Sequence, residues 1–284
     1  MIYGLIGEKL GHSYSKIIHE KLGAYTYDLF PLTEQELDLF LKAREFSGLN
    51  VTIPYKQTVI PYCDQVSPLA QEIGAVNTLY FNAKGMLCGT NTDYHGFIYA
   101  MEGADISLYN KKVLILGDGA TCKTIRKAVL DKGASEVIIA SRKVGEPIFE
   151  NFKTSKNFSP YELINCTTLN YQDLDAQLDA EIVINATPVG MWPNTENRPI
   201  DLKKFTNCIG VFDVIYNPYY TKFILQAKEL GIPYASGLAM LVAQATEAAG
   251  YFTGKKGFET YNTAIMGELK DLFLTDKGDR DKNA

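Results

Sequence analysis

Lys56 and Asp93 are the residues best placed for proton chemistry. Lys56 lies in "GLNVTIPYKQTVIP", two residues past Pro54 at the end of an apolar, β-type run, and Asp93 lies in "GTNTDYHGF", where a helix should open. If the strand ends at Thr52 or Ile53, Pro54 takes the first helical position and Lys56 falls in the first turn. A helix dipole disfavours a cation there by about 0.3 kcal/mol or more, and lowers its pKa unless a carboxylate compensates. Such a lysine is either an ordinary exposed cation or a proton donor or acceptor beside a substrate. Asp93 is its natural partner, and equally a helix cap.

Other polar residues stand where apolar ones are expected. Asn50 and Thr52 interrupt "LNVTIP", Asn77 interrupts "GAVNTLYF", and Gln244 shares a helix face with Leu241, Ala245 and Ala248. Buried amides require hydrogen-bond partners, which a polyhydroxylated ligand or an internal network supplies. Ser13 and Ser15 in "GHSYSKIIHE" stand before or at a helix start, where hydroxyls cap the helix or hold a carboxylate. His12, His19 and His95 have no nucleophile to activate and read as structural. Five cysteines, Cys63, Cys88, Cys122, Cys166 and Cys208, form no C-x-x-C pair. Neither a disulfide framework nor a zinc site is expected, so substrate polarisation falls to side chains.

A second set of residues suits a dinucleotide. "KKVLILGDGATC" puts Gly117 and Gly119 after an apolar strand and at the head of a helix, with Ala120 following. Bare backbone there admits a pyrophosphate to the helix N-terminus, although Cys122 replaces the third glycine of the G-x-G-x-x-G pattern. The next strand, "EVIIASRK", ends in Ser141, Arg142 and Lys143 instead of the acidic residue that binds an NAD ribose. A hydroxyl and two cations favour NADP; a solvated strand end is the plain alternative.

The elements that must carry these residues alternate. "MIYGLIG", "TYDLFPL" and "GLNVTIP" read as strands, separated by helices in "SKIIHEKLGAY" and "TEQELDLFLKAR", the latter with a capping box at Thr33 and Glu36. A strand pair turns at Lys84 and Gly85, and a helix runs from about Asp93 to Met101. After the polar stretch "EGADISLYNK" the alternation restarts through "KKVLILG", "EVIIASR", "EIVINAT" and "CIGVFDVI". The expected fold is α/β with two domains. Residues 1–101, rejoined by 238–275, form an α/β substrate domain with a mostly parallel sheet. Residues 102–237 form a Rossmann-like, doubly wound NADP-binding domain, with Gly237 as a hinge candidate. Residues 276–284 read as a flexible tail.

With 284 residues, 46% of them apolar, a core large enough for a buried site is expected. A net charge of −5 without any basic run argues against nucleic acid as partner. No apolar run is long enough for a membrane span, and "MIYGLIGEKLG" does not read as a signal peptide, so a cytoplasmic protein with a small-molecule substrate is expected.

Taken together, "GHSYSKIIH", "GLNVTIPYK", "GAVNT", "GTNTDYHGF", "INATPVGM", "FDVIYNP" and "GLAMLVAQA" resemble, in order and over nearly the whole chain, the shikimate dehydrogenase family. The resemblance implies NADPH-dependent reduction of 3-dehydroshikimate to shikimate, in aromatic amino-acid biosynthesis; a monomer or homodimer is expected. It implies Lys56 and Asp93 as the catalytic pair, without a metal. Ser13, Ser15 and Tyr216 would bind the substrate carboxylate, and Asn50, Thr52, Asn77 and Gln244 its ring and hydroxyls. Thr187, Val189, Gly190 and Met191 would form the loop near the nicotinamide, with Gly237 a backbone contact.

Departures from the family pattern concentrate at the cofactor loop, where Asp118 and Ala120 replace a small neutral residue and a glycine. Asp118 weakens binding if it faces the pyrophosphate and does little if it faces solvent. Lys16, Glu20 and Ser141 are smaller departures. Two rivals follow: a quinate or dual quinate/shikimate dehydrogenase, and a non-catalytic sensor of shikimate-like ligands.

Overall fold

A computed structural model describes residues 1–11, 13–142 and 165–280. The chain divides into two compact units, Met1–Gly96 with Leu241–Gly267, and Phe97–Met240 with the chain from Glu268 onward.

The first unit is built from β1 (Tyr3–Gly7), α1 (Ser15–Lys21), β2 (Asp28–Pro31), α2 (Glu34–Ala43), β3 (Gly48–Val51), β4 (Gln65–Val66), α3 (Pro68–Ile73), β5 (Thr78–Phe81) and β6 (Leu87–Thr90). Its sheet runs β2-β1-β3-β5-β6-β4. β1 is parallel to β2 and β3, and β4 to β6, while the β5–β6 hairpin supplies the antiparallel pairings. Leu37 and Leu41, one turn apart on α2, bury fully against Ile6, Leu49 and Val51 of the sheet. Burial of each such leucine contributes about 1.5–3 kcal/mol. The capping box that starts α2 is present: Thr33 Oγ1 accepts from the Glu36 N–H, and Glu36 accepts from the Thr33 N–H at 2.8 Å.

No helix begins at Pro54. Residues 53–59 form consecutive turns that lead into a short 3-10 turn at Ile60–Tyr62. The Tyr55 N–H bonds back to Thr52 O across a cis Ile53–Pro54 peptide, and Lys56 O accepts from the Val76 N–H at 2.7 Å. Ile60 N–H, the partner Lys56 O would have in an α-helix, goes to Gln57 O instead. The dipole expected to act on Lys56 therefore has no source.

In the second unit β7 (Lys112–Leu116), β8 (Glu136–Ser141), β9 (Asn165–Asn170), β10 (Ile182–Asn185), β11 (Gly210–Asp213) and β12 (Tyr234–Ser236) pair in parallel, in the order β12-β11-β10-β7-β8-β9. This is the doubly wound arrangement, with its direction reversing between β7 and β10. Helices α5 (Ala120–Asp131) and α6 (Lys222–Glu229) lie among the crossovers, and Phe223, Ile224 and Ala227 of α6 bury against Val183 and Val211. The short elements β4, α3 and β12 carry too few residues for their patterns to stand out in sequence, and β9, "NCTTLN", carries too few apolar ones.

Helices α4 (Asp93–Gly103), α7 (Gly237–Thr253) and α8 (Asn262–Arg280) complete the chain. The division between units falls inside all three helices. The helix α8 includes residues 276–280, read as tail, because no proline stops it after its buried face of Ile265, Leu269 and Phe273; residues 281–284 lie outside the described ones. Gly237, expected at a hinge, opens α7 in close packing. Its N–H donates to Ile215 O at 3.1 Å, and a Cβ there would overlap the Val214 carbonyl group. Gly237→Ala should lower stability by about 1–3 kcal/mol in urea unfolding. Gly267→Ala, whose added methyl meets open space on α8, should raise it by about 0.5–1 kcal/mol.

Candidate active site

Lys56 and Asp93 meet. Lys56 Nζ lies 2.6 Å from Asp93 Oδ2, and the two side chains are 13% and 12% exposed. Asp93 is the first residue of α4, and the capping it was also expected to give comes from elsewhere: Asn91 Oδ1 accepts from the Tyr94 N–H and Asn91 Nδ2 donates to Ala75 O. The aspartate is thus left to its lysine.

Beside this pair runs a buried chain of amides and hydroxyls. Asn77 Oδ1 accepts from the Thr92 N–H at 2.7 Å, from Thr92 Oγ1 and from Thr78 Oγ1. Thr92 Oγ1 also reaches Gln244 Oε1 at 3.5 Å, and Gln244 Nε2 donates to Leu241 O. Asn50 donates to Thr78 Oγ1 and accepts from the Tyr27 hydroxyl at 2.7 Å. Of the residues singled out in sequence, Asn50, Asn77 and Gln244 are brought together. Thr78, Thr92 and Tyr27 were missed; the threonine-rich stretches "VNTLYF" and "GTNTD" were their signal.

Tyr27 ties this network to α1. The His19 ring stacks on Tyr27 at 4.0 Å, its Nδ1 bonds the Tyr25 hydroxyl, and its Nε2 is buried without a partner among the described residues. Burial pushes the imidazole from 6.5 down to about 3, so it is neutral. Ser15 begins α1 and Ser13 Oγ accepts the Ser15 N–H at 3.3 Å. The two departures on this helix pair with each other: Lys16 bonds Glu20 at 3.1 Å, Asp28 at 2.9 Å and Tyr27 O, and the carboxylates raise its pKa. His12 lies outside the described residues, and His95 is exposed.

The donors left over define what this unit can bind. The hydroxyl protons of Ser13, Ser15 and Thr52 and the Nδ2 of Asn77 have no partner among the described residues. Hydroxyls and an amide in the same unit as a lysine–aspartate pair suit a small ligand rich in oxygen. Tyr216 belongs to the second unit, its ring 6.2 Å from that of Phe273.

In the second unit Gly117 leaves β7 with φ +101°, and a Cβ there would press Thr187 Cγ2 at 2.9 Å and Ala186 O at 3.1 Å. Gly119 is the N-cap of α5 and gives it no side-chain bond. Backbone N–H groups in the first turn of a helix suit an anion, and the space beside Gly119 is open. Cys122 is fully buried. At the end of β10, Asn185 Oδ1 accepts from Thr187 N–H and Oγ1, Asn185 Nδ2 donates to Val189 O, and Val189 N–H donates to Thr187 Oγ1. Gly190 takes φ +95° and Met191 is exposed, so the loop 187–191 stands braced but open. Asp213 supports the brace, accepting from Asn185 Nδ2, the Ile215 N–H and Thr221 Oγ1. Burial raises its carboxyl to about 7 against these three donors. These residues fit a dinucleotide.

The strand-end residues behave less simply. Ser141 is 1% exposed and donates its hydroxyl to Asp118 Oδ2 at 2.7 Å, so one oxygen of the half-buried Asp118 carboxylate is directed to the end of β8. Arg142 is exposed, and Lys143 lies outside the described residues. Among the described residues no cluster of His, Cys, Asp and Glu is placed to hold a metal, and no helix is long and apolar enough to cross a membrane.

A doubly wound unit with such a loop, joined to an α/β unit holding a lysine–aspartate pair, defines a class, the two-unit dinucleotide-dependent oxidoreductases. Comparison with known proteins narrows it. Residues 5–79 match the family model for the shikimate dehydrogenase substrate binding domain. The chain is 35% identical to a shikimate dehydrogenase (NADP(+)) of Clostridium perfringens, over 96% of this chain and 99% of that one. Among solved structures it superposes on shikimate dehydrogenase 1 from Peptoclostridium difficile with a TM-score of 0.82, at 31% identity over 96% and 98% of the two chains. The Thermus thermophilus shikimate 5-dehydrogenase in complex with NADP(H) and shikimate matches with a TM-score of 0.78, at 29% identity over 93% and 98%. The chain belongs to the shikimate dehydrogenase family.

Two measurements probe the first unit. Thr92→Val strips Asn77 and Gln244 of a buried partner and should cost about 1–3 kcal/mol of stability by urea unfolding. For His19 the unfolded imidazole titrates near 6.5 and the folded one near 3. Its contribution is therefore complete above pH 6.5 and declines toward pH 3, by about 1.4 kcal/mol per pH unit between them. His19→Phe should remove that slope from urea midpoints measured between pH 6 and 4.5; an unchanged slope would show that the imidazole charges without unfolding.

Proposed function

We propose that this chain catalyses the NADP-dependent, reversible reduction of 3-dehydroshikimate to shikimate in the cytoplasm, as a step of aromatic amino-acid biosynthesis. The first unit takes the cyclic substrate and the second the dinucleotide. The observation that carries this reading is the 2.6 Å Lys56–Asp93 pair, in a unit whose leftover donors are hydroxyls and an amide. The names and complexes of the relatives agree with it.

Each residue has a defined task. Ser13 and Ser15 donate their hydroxyl protons to the substrate carboxylate. Asn50, Thr52, Asn77 and Gln244 hold the ring and its hydroxyls; Asn77 Nδ2 points its amide donor at one of them, because Oδ1 is already committed to Thr92 and Thr78. The bound cofactor, when reduced, supplies hydride. Lys56 Nζ–H delivers a proton to the carbonyl oxygen as negative charge develops there, and Asp93 orients the ammonium and accepts a hydrogen bond from a neighbouring hydroxyl. In the reverse direction the lysine receives that proton. The first-turn N–H groups of α5 and the loop of Thr187, Val189, Gly190 and Met191 position the dinucleotide, with Gly237 contributing backbone only.

Mixing the purified protein with shikimate and NADP should produce NADPH, followed by absorbance. Lys56→Ala should slow turnover by roughly 10²- to 10⁴-fold while shikimate still binds. Saturable shikimate binding without turnover on NADP or NAD would point to a ligand sensor, and faster turnover on quinate would move the substrate assignment.

A further inference from the structure

Asp118 originates in the glycine loop after β7, yet its carboxylate sits at the end of β8. The two strands are parallel neighbours, with Leu116 opposite Ala140, so the loop and Ser141 face each other across one strand spacing. The Ser141 hydroxyl has one proton, and Asp118 Oδ2 takes it at 2.7 Å. Of the residues expected to greet a 2′-phosphate, Ser141 is therefore spent as a donor.

The end of this second strand is where a doubly wound unit receives the adenosine ribose. A carboxylate at that position accepts a hydrogen bond from a 2′-hydroxyl and repels a 2′-phosphate, which carries most of two negative charges near neutral pH. Arg142, adjacent and exposed, acts in the opposite sense. Both charges surround one phenol: burial is the main cause that lifts Tyr171 to about 12, with Arg142 lowering it and Asp118 raising it. Among the described residues the strand end thus carries one cation and one anion, both of which act on Tyr171.

We propose that Asp118, held by Ser141, is a cofactor-selectivity residue that offsets Arg142 and leaves the protein able to bind NAD(H) nearly as well as NADP(H). This rests on the dehydrogenase reading and deepens it. Asp118 touches neither the substrate nor the hydride; it acts only on which ribose is accepted.

Trp192 is the chain's single tryptophan, 42% exposed just past the loop 187–191, so its emission reports binding of a reduced nicotinamide without turnover. NADPH and NADH are titrated separately into the wild type, Asp118→Asn and Asp118→Ala, with melting temperatures checked. Expected are wild-type dissociation constants for NADPH and NADH within about tenfold of each other. Both substitutions should tighten NADPH roughly tenfold, equivalent to about 1.4 kcal/mol, without tightening NADH. An unchanged NADPH-to-NADH ratio in two well-folded variants overturns the proposal, as does a wild-type preference for NADPH beyond roughly a hundredfold. Failure of the wild type to bind either dinucleotide overturns the dehydrogenase reading, and this inference with it.

Discussion

A charged pair held mostly away from water constrains everything else in the first unit. Withdrawing an ammonium and a carboxylate from solvent costs several kcal/mol each before their attraction is counted, and only close, fixed geometry recovers it. Lys56 and Asp93 meet that condition at 2.6 Å, and the surrounding backbone exists to keep it. Lys56 O is fastened to the strand side through Val76, and Asp93 is fixed by a helix start that Asn91 caps in its stead. Removing either anchor would leave the charges near each other without the alignment that offsets their desolvation.

The amide network follows the same logic one step outward. Asn77 has four hydrogen-bonding positions; its oxygen is saturated by Thr92 and Thr78, which fixes the amide orientation and aims the nitrogen. Asn50 is oriented by Tyr27, which His19 stacks against, so a neutral imidazole on α1 sets the pose of an amide on β3. Such a site is rigid where it is satisfied and reactive only where donors are left over.

Much of this was legible beforehand, for identifiable reasons. The α/β alternation and the doubly wound order rest on apolar runs and glycine turns that are local in sequence, and the α2 capping box needs only residues 33–36. That Lys56 and Asp93 meet was legible, but the reason offered for it, a helix at Pro54, was wrong. A proline at the first helical position and a proline in a tight turn look alike locally, and the bond from Val76 that decides between them comes from 20 residues away in the chain. Thr78 and Thr92 were overlooked because threonine suits a strand or cap without any function. Asp213 carried no visible role because its three donors lie on three separate segments.

The departures from the family pattern are most informative as pairs. Lys16 and Glu20 differ from the usual residues together and bond each other across one helical turn. Asp118 and Ser141 also differ together, and each satisfies the other. An aspartate turned toward the start of α5 would compete there with a bound anion. The serine at the neighbouring strand end draws one of the Asp118 oxygens toward β8. The same bond places negative charge at the end of β8, the ribose side of a doubly wound unit. In the proposed reading the serine thus gives this aspartate a part in discriminating between two dinucleotides.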